Sequence, residues 1–570
     1  MRIGSIFCWL AALALGVPAA LPAQSILSAI HPDLAAISVW PQPLAPVHSV
    51  ALSATIAAIP LAVVLFLMGV LRRSGLFASG CGLITAILLA VGIWGMPASL
   101  AGWSIGFGFA YALWSILWLV FCGLWLYHLA EETGSFELLR KWVEQSASGD
   151  ACVQAMLVAF CFGALLEGTA GFGTPVAITA LLLVKLGFDA RKAVMASLLA
   201  NTAPVAFGAV GVPIVALAGV TGLDVAKLSA MIGRQLPIIS FILPAYLAVV
   251  VAGARGLGRS WRAALVAGGS FAAVQCLVSN FWGPYATDLV SSLVSIASMV
   301  SYLRITGASR ANHAPSSPRD AREQEKLSTA NVLSACLPWA LLSLVIVLWS
   351  YFKLFQRGQI SIPVPHLDKA VFITLYQKPY AAVYNFQPLA AGTGLLVAIL
   401  LTALCFRVRP GVFLRTGART LRQLSLPGLT VLFIVALAYL YNYSGMAYTL
   451  GAAVAHAGAV FPLLSSFLGW VACFLSGSDT ASNLLFGNLQ VAAAHQLHLN
   501  PLLLAATNSS GAVAGKMISP QNIAIGVTTV KLIGQEGKVL HSTFWHSVLL
   551  AALIGLIACL QAYVVPGMVP

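Results

Sequence analysis

The sequence predicts an all-α polytopic membrane protein with about 12 transmembrane helices plus two re-entrant hairpins. Of the 570 residues, 60% are hydrophobic and only 8% are charged, whereas soluble domains carry about 25% charged residues. Apolar stretches of roughly 20 residues, each long enough to cross a bilayer, recur along most of the chain. A β-barrel would instead show alternating segments of about ten residues.

The N-terminal segment has two open interpretations. Residues 1–24 contain one Arg, a short apolar run, and then Pro and small residues. This pattern is typical of a secretory signal peptide with cleavage near Ala23, and an uncleaved extra span is the alternative. Residues 25–50 contain several prolines and are predicted to form an external linker.

The spans follow in chain order, with boundaries that hold to within a few residues. They are predicted near 51–71, 75–97, 103–127, 193–217, 236–254, 263–283, 286–304, 332–352, 388–406, 426–442, 502–527 and 542–565. Two further apolar segments, 152–186 and 461–488, are interrupted by Gly, Ser and Thr, and we interpret them as hairpins that enter and leave the membrane on the same side.

Charge gives the orientation and excludes nucleic acid as a partner. The net charge is +14, but the basic residues cluster in short loops, beginning with Arg72 and Arg73 after the first span, which is the positive-inside pattern. The polar loop 305–330 is therefore predicted to be cytoplasmic. The ten cysteines form no CxxC pair, so we expect neither a disulfide framework nor a metal or other cofactor.

A repeat is visible in two polar segments that interrupt predicted spans. NTAPVAFGAVGVP begins at Asn201 and NSSGAVAGKMISP begins at Asn508; both have Gly at the eighth position and Pro at the thirteenth. Each follows a predicted hairpin. An odd number of spans separates the copies, so we predict two inverted repeats, 51–254 and 331–570, linked by spans and a loop at 255–330. Matched interrupted segments in inverted halves indicate the binding site of a transporter.

Three charged residues lie deep in apolar segments: Glu167 and Asp479 in the two hairpins, and Lys516 in an interrupted span. Each costs about 2.5–3.5 kcal/mol at mid-bilayer, so each is a candidate functional residue, although a structural ion pair is the alternative. His456, beside the second hairpin, is a further candidate for proton movement or an ordinary interfacial histidine.

Hydroxyl and amide side chains accompany these charges at both breaks and could bind a small polar solute, or they could serve helix packing. The candidate substrate-binding residues are Thr169, Thr174, Asn201, Thr202, Ser478, Thr480, Asn483, Asn508, Ser509 and Lys516. No HExxH or Walker sequence is present, so the sequence predicts neither an enzyme nor ATP-driven transport. A membrane-embedded sensor would need a soluble signalling module, for which no loop is long enough.

Long motifs resemble the bacterial L-lactate permease family across roughly residues 50–570. They are LLEGTAGFGTPVAI, NTAPVAFGAVGVPI, GRQLP, SNFWGP, IPVPHLDK, SGSDTASN and NSSGAVAGKMISPQNIAI. The resemblance implies a secondary transporter of the bacterial inner membrane that brings in L-lactate and glycolate with protons, and a place in the ion transporter superfamily with its inverted repeats. The extension before residue 50 departs from the family pattern.

This resemblance and the residues together give a mechanistic hypothesis. The hairpin tips and helix breaks meet near the midplane, where backbone N–H groups, hydroxyls and Lys516 receive the substrate carboxylate. Asn201 or Asn508 binds the substrate hydroxyl, and Glu167 or Asp479 carries the proton. The hairpin-bearing part then rocks or slides against the other spans. A sodium-coupled carboxylate transporter is the alternative, and a homo-oligomer is left open.

Overall fold

The structure is a computed structural model that describes residues 39–146, 150–171, 173–307 and 328–570. The proposed signal peptide or extra span at 1–24, most of the linker at 25–50 and most of the loop at 305–330 lie outside the described residues. What is described is a helical bundle with a small cap of short strands.

The helices are numbered here in chain order. They are α1 (Val50–Leu65), α2 (Gly75–Gly92), α3 (Ala98–Glu132), α4 (Ser135–Ser146), α5 (Ala151–Thr169), α6 (Thr174–Lys185), α7 (Ala190–Ala200), α8 (Gly208–Thr221), α9 (Val225–Phe281), α10 (Thr287–Ile305), α11 (Thr329–Tyr351), α12 (Ala391–Cys405), α13 (Pro410–Ser444), α14 (Met446–Val454), α15 (Phe461–Ser476), α16 (Asp479–Gln496), α17 (Pro501–Lys516), α18 (Pro520–Thr529) and α19 (Glu536–Tyr563). Short π-helical turns extend α1 to Val70 and lie within α3 and α5.

Within the described residues, ten helices are long and apolar enough to cross a membrane, counting α14 and α15 with the turn between them as one, or eleven if the bent pair α7–α8 is one span. The 57-residue helix α9 is broken by non-helical backbone at Ala252 and Gly253, so its two halves correspond to two predicted spans. The predicted span 388–406 is the shorter apolar helix α12. The prediction of an all-α polytopic membrane protein is confirmed.

Both predicted hairpins are pairs of helices joined by tight turns. In the first, α5 and α6 are joined through Gly171 and Gly173, which have φ of +56° and +82°. In the second, α15 and α16 are joined through Gly477, which has φ of +72°. Side chains disfavour this left-handed backbone, so glycine at the tip is what lets the chain reverse within a few residues.

Both interrupted segments contain a break between two helices. The bend between α7 and α8 is 65°, and it includes left-handed backbone at Ala209, Val210 and Gly211. The second break separates α17 from α18, and Ser519 caps α18, whose first residue is Pro520. The order of hairpin, helix, break and helix therefore occurs twice, as the sequence predicted.

Glycines let the second hairpin approach the second broken helix closely. A Cβ atom on Gly469 of α15 would lie 2.0 Å from the Asn508 carbonyl oxygen, and one on Gly511 of α17 would lie 2.1 Å from the Ser466 oxygen. Such distances are impossible for a real side chain. The GxxxG spacing of Gly511 and Gly515 thus brings the backbones of α15 and α17 into contact, as small residues do between membrane helices.

Five short strands form two small sheets that the sequence analysis did not predict. They are β1 (Trp40–Pro41), β2 (Ile360–Pro363), β3 (Val371–Ile373), β4 (Lys378–Pro379) and β5 (Val383–Phe386). The first strand is parallel to β3, which is antiparallel to β4, while β2 and β5 form an antiparallel pair. Gln42 Nε2 donates to the carbonyl oxygens of Asn442 and Tyr443 at 2.8 and 2.9 Å, so this cap sits against the end of α13.

Candidate functional site

The two hairpin tips meet at the start of α18. The amide nitrogen of Asn522 donates to the Gly477 carbonyl oxygen at 3.2 Å and to the Lys516 carbonyl oxygen at 3.3 Å. A Cβ atom on Gly173 would lie 3.5 Å from the Asn522 amide oxygen. One asparagine side chain therefore bonds to the second tip and the second break and lies beside the first tip.

A buried ion pair joins the first hairpin to the second break. The Nζ atom of Lys516 lies 2.5 Å from Oε1 of Glu167, and the two side chains are only 8% and 4% exposed. Asn201, at the first break, donates from Nδ2 to Oε2 of Glu167 at 3.0 Å. Gly208 leaves room for this carboxylate, since a Cβ atom there would lie 2.7 Å from Oε1. Three predicted site residues thus form one cluster.

A second polar cluster surrounds Asp479, the first residue of α16. Ser509 donates to Oδ2 of Asp479 at 3.0 Å, and Asn483 donates to the Ser509 hydroxyl at 3.0 Å. Asn508 in turn donates to the amide oxygen of Asn483 at 3.0 Å. The other oxygen of Asp479 is buried without a hydrogen-bond partner among the described residues.

The remaining predicted residues have more varied surroundings. The Thr169 hydroxyl bonds to carbonyl oxygens of its own helix, which is a packing role. The Thr202 hydroxyl is buried without a partner in the described chain. Thr174 begins α6 at the first tip, and Ser478 caps α16 through the N–H of Ala481.

His456 lies outside the buried clusters. It is exposed on the 3₁₀ turn Ala455–Val460, and its Nδ1 atom contacts carbonyl oxygens of Ala452 and Ala453 at 3.1 Å. Proximity to the second hairpin in the sequence suggested a role in proton movement, but the side chain is directed to its own turn. We do not retain His456 in the proposed mechanism.

Sequence reasoning missed two groups that the structure adds to the site. Gln235 in the GRQLP motif accepts from Ser510 at 2.6 Å and donates to Thr507 at 2.9 Å, so α9 supports α17. Asp288, in the first turn of α10, is 1% exposed and is buried beside the Glu167 hairpin. The sequence carried no signal for Asp288 because this residue lies at the edge of a predicted span, and helix ends usually reach water.

A cavity of about 450 Å³ opens beside the second tip. Polar groups from the second hairpin and from α18 line it on one side, and Arg73 and residues of α3 and α13 line it on the other. The polar lining residues at the tip are Ser476, Ser478, Thr480, Gln521 and Asn522. We call this the inner cavity, because Arg73 belongs to the predicted cytoplasmic side.

A second cavity, of about 890 Å³, lies beneath the strand cap and is called here the outer cavity. Tyrosines dominate its wall: Tyr111, Tyr285, Tyr376, Tyr380, Tyr384, Tyr439, Tyr443 and Tyr448. Lys378 and His495 also line it, and no Asp or Glu does among the described residues. Burial raises the pKa of Tyr384, on β5, to about 12, so its hydroxyl stays a neutral hydrogen-bond donor.

The two cavities lie along the same helices at different heights. On α16, Leu484 lines the inner cavity and Asn488 the outer cavity, which are one helical turn or about 6 Å apart along the axis. On α13, Ile434 lines the inner cavity and Tyr439 lines the outer cavity. A thin layer of side chains therefore separates two openings that reach the bundle from opposite ends.

Broken helices around a buried polar centre, with a cavity on either side, define a multi-pass helical membrane protein organised as membrane transport proteins are. The family described as L-lactate permease matches residues 53–565. The chain belongs to the L-lactate permease family.

Relatives of known name cover nearly the whole chain. An L-lactate permease of Salmonella typhimurium is 39% identical over 552 residues, covering 94% of this chain and all of the relative. Glycolate permease GlcA of Escherichia coli is 40% identical over 555 residues, covering 93% and 99%. The solved structure of Neisseria gonorrhoeae MtrF covers 80% of this chain and 83% of its own at 13% identity, with a TM-score of 0.44, which is too low to support an argument.

Proposed function

We propose that this protein is a secondary transporter that imports L-lactate and related 2-hydroxy monocarboxylates, including glycolate, by proton symport across the bacterial inner membrane. Its relatives named L-lactate permease and glycolate permease support this substrate class. The observation that carries the proposal is the buried ion pair of Lys516 and Glu167 between two helix breaks.

The lysine provides a binding group for a carboxylate. An isolated ammonium is costly to bury, so Lys516 needs an anionic partner at all times. In the resting site that partner is Glu167. A substrate carboxylate can replace it without leaving the lysine unpaired, and Asn201, which bonds to the same glutamate, is then free to bind the substrate hydroxyl.

The exchange of partners explains why a proton accompanies the anion. Once the substrate carboxylate pairs with Lys516, Glu167 has no counter-ion, although its side chain remains buried. Burial away from water favours the neutral form of a carboxyl group, so Glu167 binds a proton. The loaded site then contains one lysine, one substrate anion and one protonated glutamate, and no net charge is added for the crossing.

The second polar cluster offers the substrate a further set of donors. Asn483, Asn508 and Ser509 form a bonded chain that ends on Asp479. Thr480 and Ser478 line the inner cavity at the same tip. A small hydroxy acid entering or leaving through that cavity meets neutral hydroxyls and amides, which bind a carboxylate without trapping it.

The twofold order of elements supports two inverted repeats, 51–254 and 331–570, each of which contributes a hairpin and a broken helix to the moving part of an alternating-access cycle. The hairpins and broken helices contact one another around the ion pair. Residues of helices α3 and α13 line both cavities. Sliding of the first group along the second by about one helical turn would move the site from one opening to the other.

The test is uptake of labelled L-lactate by the purified full-length protein in proteoliposomes. An inwardly directed proton gradient, with the membrane potential held at zero, should drive accumulation, and replacing Na⁺ with choline should leave it unchanged. Uptake that requires Na⁺ and ignores the proton gradient would favour the sodium-coupled alternative. A panel of short monocarboxylates as competitors then defines the substrate class.

A further inference from the structure

Asp288 is the buried acid that neither the sequence analysis nor the proposed cycle uses. It lies in the first turn of α10 and is 1% exposed. Both of its carboxyl oxygens are buried without a hydrogen-bond partner in the described part of the chain. An ionised carboxylate in that condition is very costly, whereas a neutral carboxyl costs much less. The residue is therefore accommodated as the protonated acid.

The position of Asp288 ties it to the ion pair. A Cβ atom on Gly168 would lie 2.8 Å from the Cβ atom of Asp288, so glycine is required where α5 crosses α10. Gly168 directly follows Glu167. Helices α5, α8, α9 and α11 pack against α10, and the charged groups that act on Asp288 from its surroundings are Glu167 and Lys516.

Counting charges gives the same result. Among the described residues, the buried acids are Glu167, Asp288 and Asp479, and Lys516 is the buried lysine. One ammonium can neutralise one carboxylate, and the ammonium of Lys516 is already paired with Glu167. Asp479 has a hydroxyl donor in Ser509. Asp288 has neither a cation nor a donor of its own, so it has the strongest reason to hold a proton.

We propose that Asp288 is a proton-binding residue of the transport site and supplies the proton that Glu167 takes up when the substrate carboxylate binds Lys516. This inference rests on the proposed proton symport. In the step, the O–H bond of Asp288 breaks and an O–H bond on Glu167 forms through an intervening water, because no direct hydrogen bond joins the two carboxyl groups. Asp288 becomes a carboxylate only until it is protonated again from the outside water, before the site closes, so the loaded site crosses with no net charge added.

Asp288→Asn separates this role from packing, because asparagine keeps the size of the side chain but cannot release a proton. With the potential held at zero, the variant should lose gradient-driven accumulation, with the accumulation ratio falling to about 1 since the two fluxes are no longer coupled. Exchange of labelled for unlabelled L-lactate should continue. Ser292→Ala, a change in the next turn of the same helix, should accumulate lactate like the unmodified protein.

Three results decide the inference. If the unmodified protein accumulates lactate with protons and Asp288→Asn does so equally, Asp288 is not the proton donor, although the proposed function stands. If the unmodified protein shows no proton-driven accumulation, the proposed function itself fails. If Asp288→Asn does not fold, infrared difference spectra of Glu167→Gln decide, because Glu167 can then contribute no carboxyl band: lactate must still shift the carbonyl band of a protonated carboxyl, and its absence overturns the inference.

Discussion

The ammonium of Lys516 lies 2.5 Å from the carboxylate of Glu167, although 349 residues separate the two along the chain. The first belongs to the end of α17 and the second to the hairpin helix α5. The pair thus joins the two halves of the protein at the point where helices are broken.

Lys516→Met should abolish lactate uptake and also destabilise the protein, because Glu167 is left buried without a counter-ion, at a cost of about 3–5 kcal/mol. Thermal unfolding in detergent measures this loss. The double variant Lys516→Met with Glu167→Gln should recover stability without recovering transport. If the double variant remains as unstable as the single one, the pair is not the interaction that Lys516 provides.

Glu167→Gln should abolish accumulation driven by a proton gradient but allow lactate exchange, since glutamine resembles the protonated acid. Lactate should also bind to Glu167→Gln without release or uptake of protons. Calorimetry checks this, because the binding enthalpy should then be the same in buffers of different ionisation enthalpy. Glu137→Gln, at an exposed position on helix α4, is the matched control and should behave like the unmodified protein. Normal accumulation by Glu167→Gln would remove this residue from proton coupling.

Gly477→Ala should impair transport more than an equally strained glycine elsewhere. The new Cβ atom would lie 2.6 Å from the Gln521 side-chain oxygen and 2.9 Å from the Ser519 hydroxyl, so the second tip could not close on α18. Gly222→Ala shares the left-handed backbone, with φ of +70°, but has nothing within 4 Å. Backbone strain alone costs about 1–2 kcal/mol in both variants. Lactate uptake should therefore be slower in Gly477→Ala than in Gly222→Ala, and the difference measures the additional effect at the tip.

Lys378→Gln should raise the KM for L-lactate at low ionic strength and leave the maximal rate unchanged. Lys378 lines the outer cavity, which has no acidic lining residue within the described chain, so its charge attracts anions before they reach the site. The effect should diminish as salt screens it. Lys353 is an exposed lysine outside the cavity lining, so Lys353→Gln should change neither KM nor the maximal rate. If the two variants raise KM equally, the effect comes from the overall surface charge and not from the outer cavity.

Much of the architecture could be predicted because it depends on local chemistry. Gly171, Gly173 and Gly477 mark turns that need left-handed backbone, and the matched Gly and Pro positions mark both helix breaks. Glu167, Asp479 and Lys516 were conspicuous as charges in apolar segments. The strand cap escaped prediction because its strands have two to four residues, too few for any periodicity.

Other features depended on contacts between distant parts of the chain. Asp288 stands at a helix start, where a carboxylate is usually solvated, and only the crossing of α5 over α10 at Gly168 buries it. Gln235 could not be assigned a partner until α9 was packed against α17. His456 is close to the second hairpin in sequence, but its turn leaves the imidazole exposed.

The sequence by itself determined a multi-pass helical protein with two tight hairpins, two broken helices and three costly charges, because hydropathy, glycine conformation and charge burial act within a short stretch of chain. Only the tertiary structure decided that Lys516 pairs with Glu167 rather than Asp479, that Asp288 is a third buried acid, and that two cavities approach from opposite ends. Those outcomes depend on which helices cross and how closely, and the close crossings arise where glycine lets one backbone reach another.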